Sequence, residues 1–267
     1  MHKMKNIFSM KNKTVAIFGG TGKLGIQFEK ILSDHGAKVY LLDKKPLPKN
    51  KNKKKLFLKC DVQNHKSVKI AFRKILQKEK KIHVVIYNVY SKPSNYYNRF
   101  QDYNLKTWKN VVDCNLTGAF IVSQLAINQF IKNKIKGNII FLSSTYGVVG
   151  PDPKIYEGLK PKKNIYGGNF SLNTPAAYSS TKSGLIGLAK YIACSFGKFG
   201  IRANLLTPGG VFDNQEKLFV KKYKLKVPLN RMAHWSDYEG AILFLASEAS
   251  SYMTGSNLII DGGWTSI

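Results

Sequence analysis

Short apolar runs alternate with longer amphipathic stretches along the chain. The runs predict strands at 14–18, 38–42, 56–59, 83–87, 138–142, 203–206 and 257–260. The amphipathic stretches predict helices at 26–36, 68–76, 108–130, 176–199 and 238–245. Strands that alternate with helices in this way predict an α/β fold: a doubly wound parallel sheet, covered by helices on both faces.

The pattern shows no internal repeat and no linker between two domains. A polar extension of residues 1–12 is expected before a single domain of residues 13–267. The polar segment 44–55 is expected to be a solvated loop. Residues 150–175 are rich in Gly, Pro, Asn and Lys, and they form a longer connection than most in such folds.

The composition suits one domain with a sizeable core, since 43% of the 267 residues are hydrophobic. The formal charge is +28, but the lysines are spread along the whole chain. A solvated basic surface is therefore favoured over a specific polyanion partner such as nucleic acid.

The cysteines and the amino-terminal sequence indicate the cellular compartment in which the protein is expected. Cys60, Cys114 and Cys194 lie far apart, which fits neither a disulfide framework nor a metal site, so a reducing compartment is expected. The start lacks the apolar core of a signal peptide, and no apolar run approaches the roughly 18 residues of a membrane span. We expect a soluble, cytoplasmic protein without membrane contact.

The loop GGTGKLG, residues 19–25, directly follows the first predicted strand and opens the first helix. Glycines there allow a tight turn and let a pyrophosphate approach the free N–H groups of the helix. The predicted cofactor-binding residues of this loop are Gly19, Gly22, Lys23, Leu24 and Gly25.

Asp43 ends the second predicted strand, about 20 residues after the loop, where such sites place an acid. Its carboxylate would accept hydrogen bonds from the adenosine ribose and repel a 2′-phosphate, so NAD(H) is favoured over NADP(H). Lys44 and Lys45 would offset part of that repulsion, which leaves NADP(H) open.

Tyr178 and Lys182 stand four residues apart in a predicted helix and therefore share one face. Taken alone, this spacing fits both a proton-transfer pair and two unrelated neighbours in a lysine-rich chain. Eight segments occur in a fixed order, however: GGTGKLG, CDV, IYN, CNLTGAF, FLSS, YSSTK, NLLTPGG and TGSNLIIDGG. Over about residues 12–264 this set resembles the short-chain dehydrogenase/reductase family.

The resemblance implies an NAD(P)-binding Rossmann fold and catalysis by Asn115, Ser144, Tyr178 and Lys182. Ser144 would bond the substrate oxygen, and Tyr178 would exchange a proton there. Lys182 would lower the pKa of that tyrosine and bind the nicotinamide ribose, while Asn115 would hold a relay water. Further cofactor contacts implied are Asp61, Val62, Asn88, Tyr178, Lys182, Pro208, Gly209 and Val211.

This chain departs from the common family pattern at three places. Lys23 occupies a usual glycine position, where it would face the pyrophosphate or solvent. Residues 87–90 read YNVY where the family commonly has Asn-Asn-Ala-Gly. Asp213 stands where the family frequently has threonine.

The segment of residues 150–175 begins shortly after Ser144 and ends just before Tyr178. It is therefore expected to lie near the substrate. Candidate substrate contacts are Ser144, Tyr156, Glu157, Lys160, Lys162 and Lys163; the alternative is a surface insertion without a ligand role. The segments YGVVGPDPKIYEGLK and TPGGVFDNQ more loosely resemble a subgroup associated with bacterial surface-sugar and flagellin-glycan synthesis. That resemblance implies an anionic, activated or phosphorylated sugar substrate.

Two other functions stay open. One is a 3-oxoacyl-carrier-protein reductase that uses NADPH, and the other is a non-catalytic NAD-binding protein. The family resemblance also implies a homodimer or homotetramer, packed through the helices after the fourth and fifth predicted strands.

Overall fold

The computed structural model describes residues 6–47, 55–160, 162–163, 169–170 and 172–267. Parts of the predicted loop 44–55 and of the insertion 150–175 lie outside these residues. The strands are β1 Thr14–Phe18, β2 Lys38–Asp43, β3 Leu56–Lys59, β4 Val84–Tyr87, β5 Asn138–Leu142, β6 Lys162–Lys163, β7 Asn169–Phe170, β8 Arg202–Pro208 and β9 Asn257–Ile260. Seven of them form one parallel sheet in the order β3-β2-β1-β4-β5-β8-β9, and β6 pairs with β7 in a separate antiparallel ladder.

Helices cover both faces of the large sheet. They are α1 Lys23–Asp34, α2 His65–Glu79, α3 Leu105–Val112, α4 Gly118–Lys132, α5 Ala176–Phe196, α6 Lys217–Lys224 and α7 Glu239–Ala246. Buried residues of α2, α4 and α5 pack on one face, and those of α1 and α7 pack on the other. The predicted doubly wound parallel sheet in a single domain is confirmed.

Strand β1 shows why the central strands read as unbroken apolar runs. All five of its residues are buried. Ala16 and Phe18 belong to one core cluster, whereas Val15 and Ile17 belong to the other. Because successive side chains point to opposite faces, a strand with helices on both sides needs apolar residues throughout.

The predicted helix 108–130 is longer and carries an irregularity. Helices α3 and α4 are joined by one π-helical turn, Asp113–Thr117. The Tyr87 hydroxyl, buried beneath this turn, donates to the carbonyl oxygen of Cys114. The wide turn therefore has a tertiary partner that the local sequence does not reveal.

The combined helical run Leu105–Lys132 has 28 residues and is long and apolar enough, by length and composition, to cross a membrane. Half of its most apolar window is buried inside the protein. Val122, Ala126 and Phe130 pack in the core cluster beneath it. The run is a core helix of this fold.

One predicted helix ends earlier than expected, and one helix was missed. Helix α5 ends at Phe196 and continues as a single 3₁₀ turn over Gly197–Phe199. Helix α6 was not predicted, because it buries only Phe219 and Tyr223 and is otherwise rich in lysine.

The residues just before β1 pack against the domain. Met10 is fully buried, and its N–H donates to the carbonyl oxygen of His35 at 2.9 Å.

Candidate active site

The predicted site residues gather along the carboxyl edge of the sheet. The strand order reverses between β1 and β4, and a crevice at such a point is where open α/β sheets bind ligands. Gly19 follows β1 and Asn88 follows β4. The Asn88 N–H donates to the Phe18 carbonyl at 2.9 Å, and its Nδ2 donates to the Gly19 carbonyl at 3.1 Å.

The glycine loop forms a cradle that side chains would fill. Gly19 has φ +74°, and a Cβ there would collide with the Asn88 carbonyl. A Cβ on Gly25 would lie 2.7 Å from the carbonyl oxygens of Gly19 and Gly20. Gly22 is the N-cap of α1, and no side chain caps the first turn of that helix. A dinucleotide pyrophosphate fits this cradle, because the helix N–H groups are left without a side-chain acceptor.

Asp43 lies beside this loop at the end of β2. Its Oδ2 accepts hydrogen bonds from the backbone N–H of Thr21 at 3.3 Å and from the Thr21 hydroxyl at 2.7 Å. Its Oδ1 accepts from the Lys45 N–H at 3.0 Å. The carboxylate therefore fastens the glycine loop as well as facing the predicted ribose position. The sequence did not indicate a role for Thr21.

Lys23 is exposed to solvent, one of the two positions expected for it, and it has a partner that the sequence did not indicate. Its ammonium forms an ion pair with Asp213, in the loop after β8, and lies 5.3 Å from the ring centroid of Trp235. Two departures from the common family pattern are thus paired with each other.

The remaining predicted cofactor residues lie at the same edge. Val62 is buried and packs beside Gly118, while Leu24 packs against the core under α1. The Gly209 N–H donates to the Ile260 carbonyl at 2.9 Å. Asp61 follows β3, Pro208 ends β8, and Val211 forms an isolated bridge with Ala233.

Lys182 is buried on α5, directly behind the end of β5. Its Nζ donates to the Leu142 carbonyl oxygen at 2.6 Å and lies 5.8 Å from the ring centroid of Tyr178. Burial lowers the pKa of Lys182 from its usual 10.5 to about 8. The Ser143 hydroxyl donates to the Lys182 carbonyl at 3.0 Å, which fixes this turn of α5 against the sheet edge.

Tyr178 and Ser144 meet through their hydroxyl groups. Burial raises the pKa of Tyr178, whereas the hydrogen bond with Ser144 lowers it, as does the charge of Lys92. The net direction is upward. The charge of Lys92 therefore opposes the effect of burial. The resemblance implied this role for Lys182, whose ammonium lies 5.8 Å from the ring centroid of Tyr178.

Asn115 lies fully buried in the π-helical turn. Its Oδ1 accepts from the Ser91 N–H at 2.9 Å, and its Nδ2 donates to the Thr181 hydroxyl at 3.1 Å. The amide therefore joins the loop after β4 to the helix that carries Tyr178 and Lys182.

One of the insertion's candidate substrate residues lies by the catalytic group. Tyr156 contributes to raising the pKa of Tyr178, and its hydroxyl lies 2.6 Å from the Thr174 hydroxyl. Glu157 and Lys160 are exposed, and the Glu157 carbonyl accepts from Lys222 at 2.6 Å. The side chains of residues 162 and 163 lie outside the described part of the structure.

Sequence reasoning missed the loop after β4. The Lys92 ammonium lies 5.4 Å from the ring centroid of Tyr90 and 5.7 Å from that of Tyr97. No motif marks these residues. The one available signal was Tyr90, which stands where the common pattern has glycine.

A basic cleft of about 770 Å³ lies at the opposite, amino edge of the sheet. Its charged lining residues are Lys13, Lys81, Lys134, Lys136, Arg202 and Glu248. It is separate from the predicted catalytic residues, which lie at the carboxyl edge of the sheet. In the residues that the structure describes, no group of three or more His, Cys, Asp or Glu could hold a metal ion.

The fold and this site define an NAD(P)-type oxidoreductase of the Rossmann class. The family model described as short chain dehydrogenase matches residues 13–155, and one described as enoyl-(acyl carrier protein) reductase matches residues 164–265. The chain belongs to the short-chain dehydrogenase/reductase family. It is an oxidoreductase that acts on CH–OH groups.

Individual relatives match almost the whole chain. D-arabinitol 2-dehydrogenase [ribulose-forming] of Candida tropicalis is 27% identical, over 96% of this chain and 94% of that protein. Post-translational flagellin modification protein A of Campylobacter coli is 28% identical, over 96% and 99%. The crystal structure of a short chain dehydrogenase from Leptospira borgpetersenii with bound NAD+ is 32% identical, with a TM-score of 0.86 over 99% of this chain and 98% of that chain.

Proposed function

We propose that this protein interconverts a secondary alcohol and a ketone on a sugar or polyol that carries an anionic group, with NAD(H) as cofactor. The observation that carries the proposal is the assembly of Ser144, Tyr178 and Lys182 beside the glycine cradle. Asp43 closes the other end of that cradle. The arrangement suits a dinucleotide whose nicotinamide end lies at the tyrosine.

The proposed roles follow from the contacts. The Ser144 hydroxyl donates to the substrate oxygen, and Tyr178 takes the proton from that oxygen in oxidation or gives it back in reduction. Lys182 holds the nicotinamide ribose, and Asn115 connects the proton path through Thr181. The bound dinucleotide supplies the hydride chemistry, while the protein positions and polarises the substrate.

The cofactor preference rests on Asp43, whose carboxylate would repel a 2′-phosphate. A relative crystallised with NAD+ supports it. The substrate class rests on two observations. A relative is named as an arabinitol dehydrogenase, and another as a flagellin modification protein. Lysines near the tyrosine favour an anionic substrate over a neutral one.

We further propose a cytoplasmic homo-oligomer. Phe120 on α4 is 51% exposed and Tyr191 on α5 is 65% exposed. Large apolar side chains on these two helices would be covered if they packed against a second copy of the chain. Light scattering of the wild-type protein tests this, and a monomer at micromolar concentration would contradict it.

The test of function follows NADH absorbance with NAD(H) and NADP(H) in parallel. The substrates are neutral polyols, aldonates, sugar phosphates, nucleotide sugars and an acetoacetyl thioester. Tyr178→Phe is the inactive variant, and Tyr252→Phe, at a fully exposed tyrosine, is its matched control. We expect NAD-linked turnover of a sugar that falls about 10²- to 10⁴-fold in Tyr178→Phe alone.

Other outcomes separate the alternatives. NADPH-dependent reduction of the thioester would indicate a carrier-protein reductase instead. Biological activity that survives Tyr178→Phe would indicate a non-catalytic NAD-binding protein.

A further inference from the structure

Lys92 lies on the loop between β4 and α3 and is exposed to solvent. Its ammonium lies over the rings of Tyr90 and Tyr97. The preceding residue, Ser91, is anchored: its N–H donates to Asn115 at 2.9 Å, and its hydroxyl donates to Asn110 at 3.1 Å. The lysine is therefore presented from a fixed point of the backbone.

The charge of Lys92 is not neutralised by an acid. Across the described ranges, no carboxylate lies within ion-pair distance of it, and Asp102 of the same loop is paired with Arg99. Its immediate partners are phenols, and Tyr97 bonds to the ammonium. Tyr90, beside the ammonium, is 53% exposed and carries a hydroxyl that can donate. The group combines one uncompensated cation with hydroxyl donors.

This cation lies near Tyr178, the proposed reacting group. Tyr97 packs in the same cluster as Tyr178, and the charge of Lys92 lowers the pKa of Tyr178. The last part of the insertion is tied to the same loop, because Asn173 Nδ2 donates to the Tyr97 carbonyl at 2.6 Å. Lys92 and the insertion therefore border the approach to Tyr178 together.

We propose that Lys92, framed by Tyr90 and Tyr97, binds the anionic end of the substrate, a phosphate or a carboxylate, while the reacting carbinol lies at Tyr178. An ammonium meets such a group as a point charge, and phenol hydroxyls add hydrogen bonds to its oxygens. The subsite would orient the substrate by its charged end. A neutral polyol would lack this contact and would be held only at the reacting carbon.

This inference rests on the proposed function, since it takes Tyr178 as the reacting group. The experiment compares the wild type with Lys92→Gln, Lys92→Arg and Lys106→Gln. Lys106 is an exposed lysine on α3 and controls for the loss of one surface charge. The substrates are D-arabinitol, its terminal phosphate monoester and D-arabinonate, each with saturating cofactor.

The expected result is a KM effect confined to charged substrates. Lys92→Gln should raise KM for the phosphate ester or the aldonate about 10- to 100-fold, the range for a hydrogen bond to a charged group. KM for D-arabinitol should stay unchanged, and Lys92→Arg should restore most of the KM loss. A change in kcat that is common to all three substrates would reflect the lost charge of Lys92 near Tyr178, and only KM reports on the subsite. Whichever anionic substrate responds identifies the group bound. An equal rise in KM on neutral and charged substrates, or no rise in KM on any of them, would overturn the proposal.

Failure of the proposed function would look different. If the wild type turned over none of the substrates, the function would fail while the subsite could still be examined by thermal shift with inorganic phosphate. Saturating NAD would be present to fill the glycine cradle. Phosphate stabilisation that is lost in Lys92→Gln but kept in Lys106→Gln would support the subsite, and equal shifts in all variants would overturn it.

Discussion

Lys23, at the start of α1, forms an ion pair with Asp213, in the loop that follows β8. The pair joins the pyrophosphate side of the predicted cofactor groove to its nicotinamide side. Lys23 is 58% exposed and Asp213 is 41% exposed, so the pair is accessible and is screened by salt. It places a carboxylate close to where the phosphates of a dinucleotide would bind.

Asp213→Asn is therefore expected to strengthen NAD binding, because it removes that carboxylate and frees the ammonium of Lys23. Exposed ion pairs contribute about 0.2 to 1 kcal/mol, so the change in Kd should be at most about five-fold. Lys23→Gln should weaken binding by a similar factor. Calorimetric titration with NAD at low and high salt measures both, and weaker binding in Asp213→Asn would contradict this reasoning.

Because of Lys182, the free energy of unfolding should change with pH in the alkaline range. Its pKa is about 8 in the folded protein, below the usual 10.5 that holds in the unfolded chain. Between these values the unfolded chain binds more protons, so the free energy of unfolding rises with pH in that window. Lys182→Met should remove this rise.

The measurement is urea unfolding of Lys182→Met and of Lys190→Met, which changes an exposed lysine on the same helix. The free energy of unfolding of the wild type, minus that of Lys182→Met, should increase as pH rises from about 8 toward 10.5. If the free energy of unfolding depended on pH in the same way for all three proteins, the buried ammonium would not titrate as described.

Asp43→Ala should change cofactor preference and stability together. Loss of the carboxylate removes the proposed ribose acceptor and should weaken NAD binding about 10-fold or more. Repulsion of a 2′-phosphate disappears at the same time, so NADP should bind more tightly than to the wild type. Thr21 also loses two hydrogen bonds, and unfolding should become easier by about 1 to 3 kcal/mol.

Fluorescence titration with both dinucleotides and urea unfolding measure these effects, with Asp34→Ala at the exposed end of α1 as control. An Asp43→Ala protein with unchanged NADP affinity would contradict the assigned role.

Gly25→Ala should disturb the cradle, because the new Cβ would lie 2.7 Å from two carbonyl oxygens. Overpacking of this kind costs about 1 to 3 kcal/mol, and NAD affinity should fall with it. Gly240→Ala is the matched control, since nothing lies within 4 Å of its added Cβ. Equal unfolding midpoints for the two variants would disprove the packing argument.

The large sheet was readable because its strands lie between two layers of helices. Strands β1, β3, β5 and β9 have the predicted bounds. Strands β1 and β5 are buried throughout, as apolar runs between two helical layers must be, whereas the edge strands β3 and β9 are only partly buried. Helix α6 was not predicted because it has only two buried apolar residues among several exposed lysines, which gives a narrow apolar face. Its Phe219 and Tyr223 pack beneath the insertion, which is a tertiary relationship.

Some residues of the candidate site could be placed from the sequence, and others could not. Residues that follow strand ends could be placed from the sequence, because parallel strands deliver their ends to one edge. The pairing of Lys23 with Asp213 and the position of Lys92 could not be, since each depends on how loops far apart in sequence fold over that edge. Asn115 was expected in an ordinary helix, and only the structure shows the π-helical turn that carries it.

That turn constrains how the chain can vary in length. A π-helical turn holds one more residue than an α-helical turn, so deletion of one residue from Asp113–Thr117 would restore a continuous α-helix. Val122 and Phe130 would keep their places in the core, because the wide turn had absorbed the extra residue. Asn115 would lose its place between Ser91 and Thr181. A one-residue deletion here would therefore separate the two functions of this helix, since it would displace the Asn115 amide and leave the packing of α4 intact.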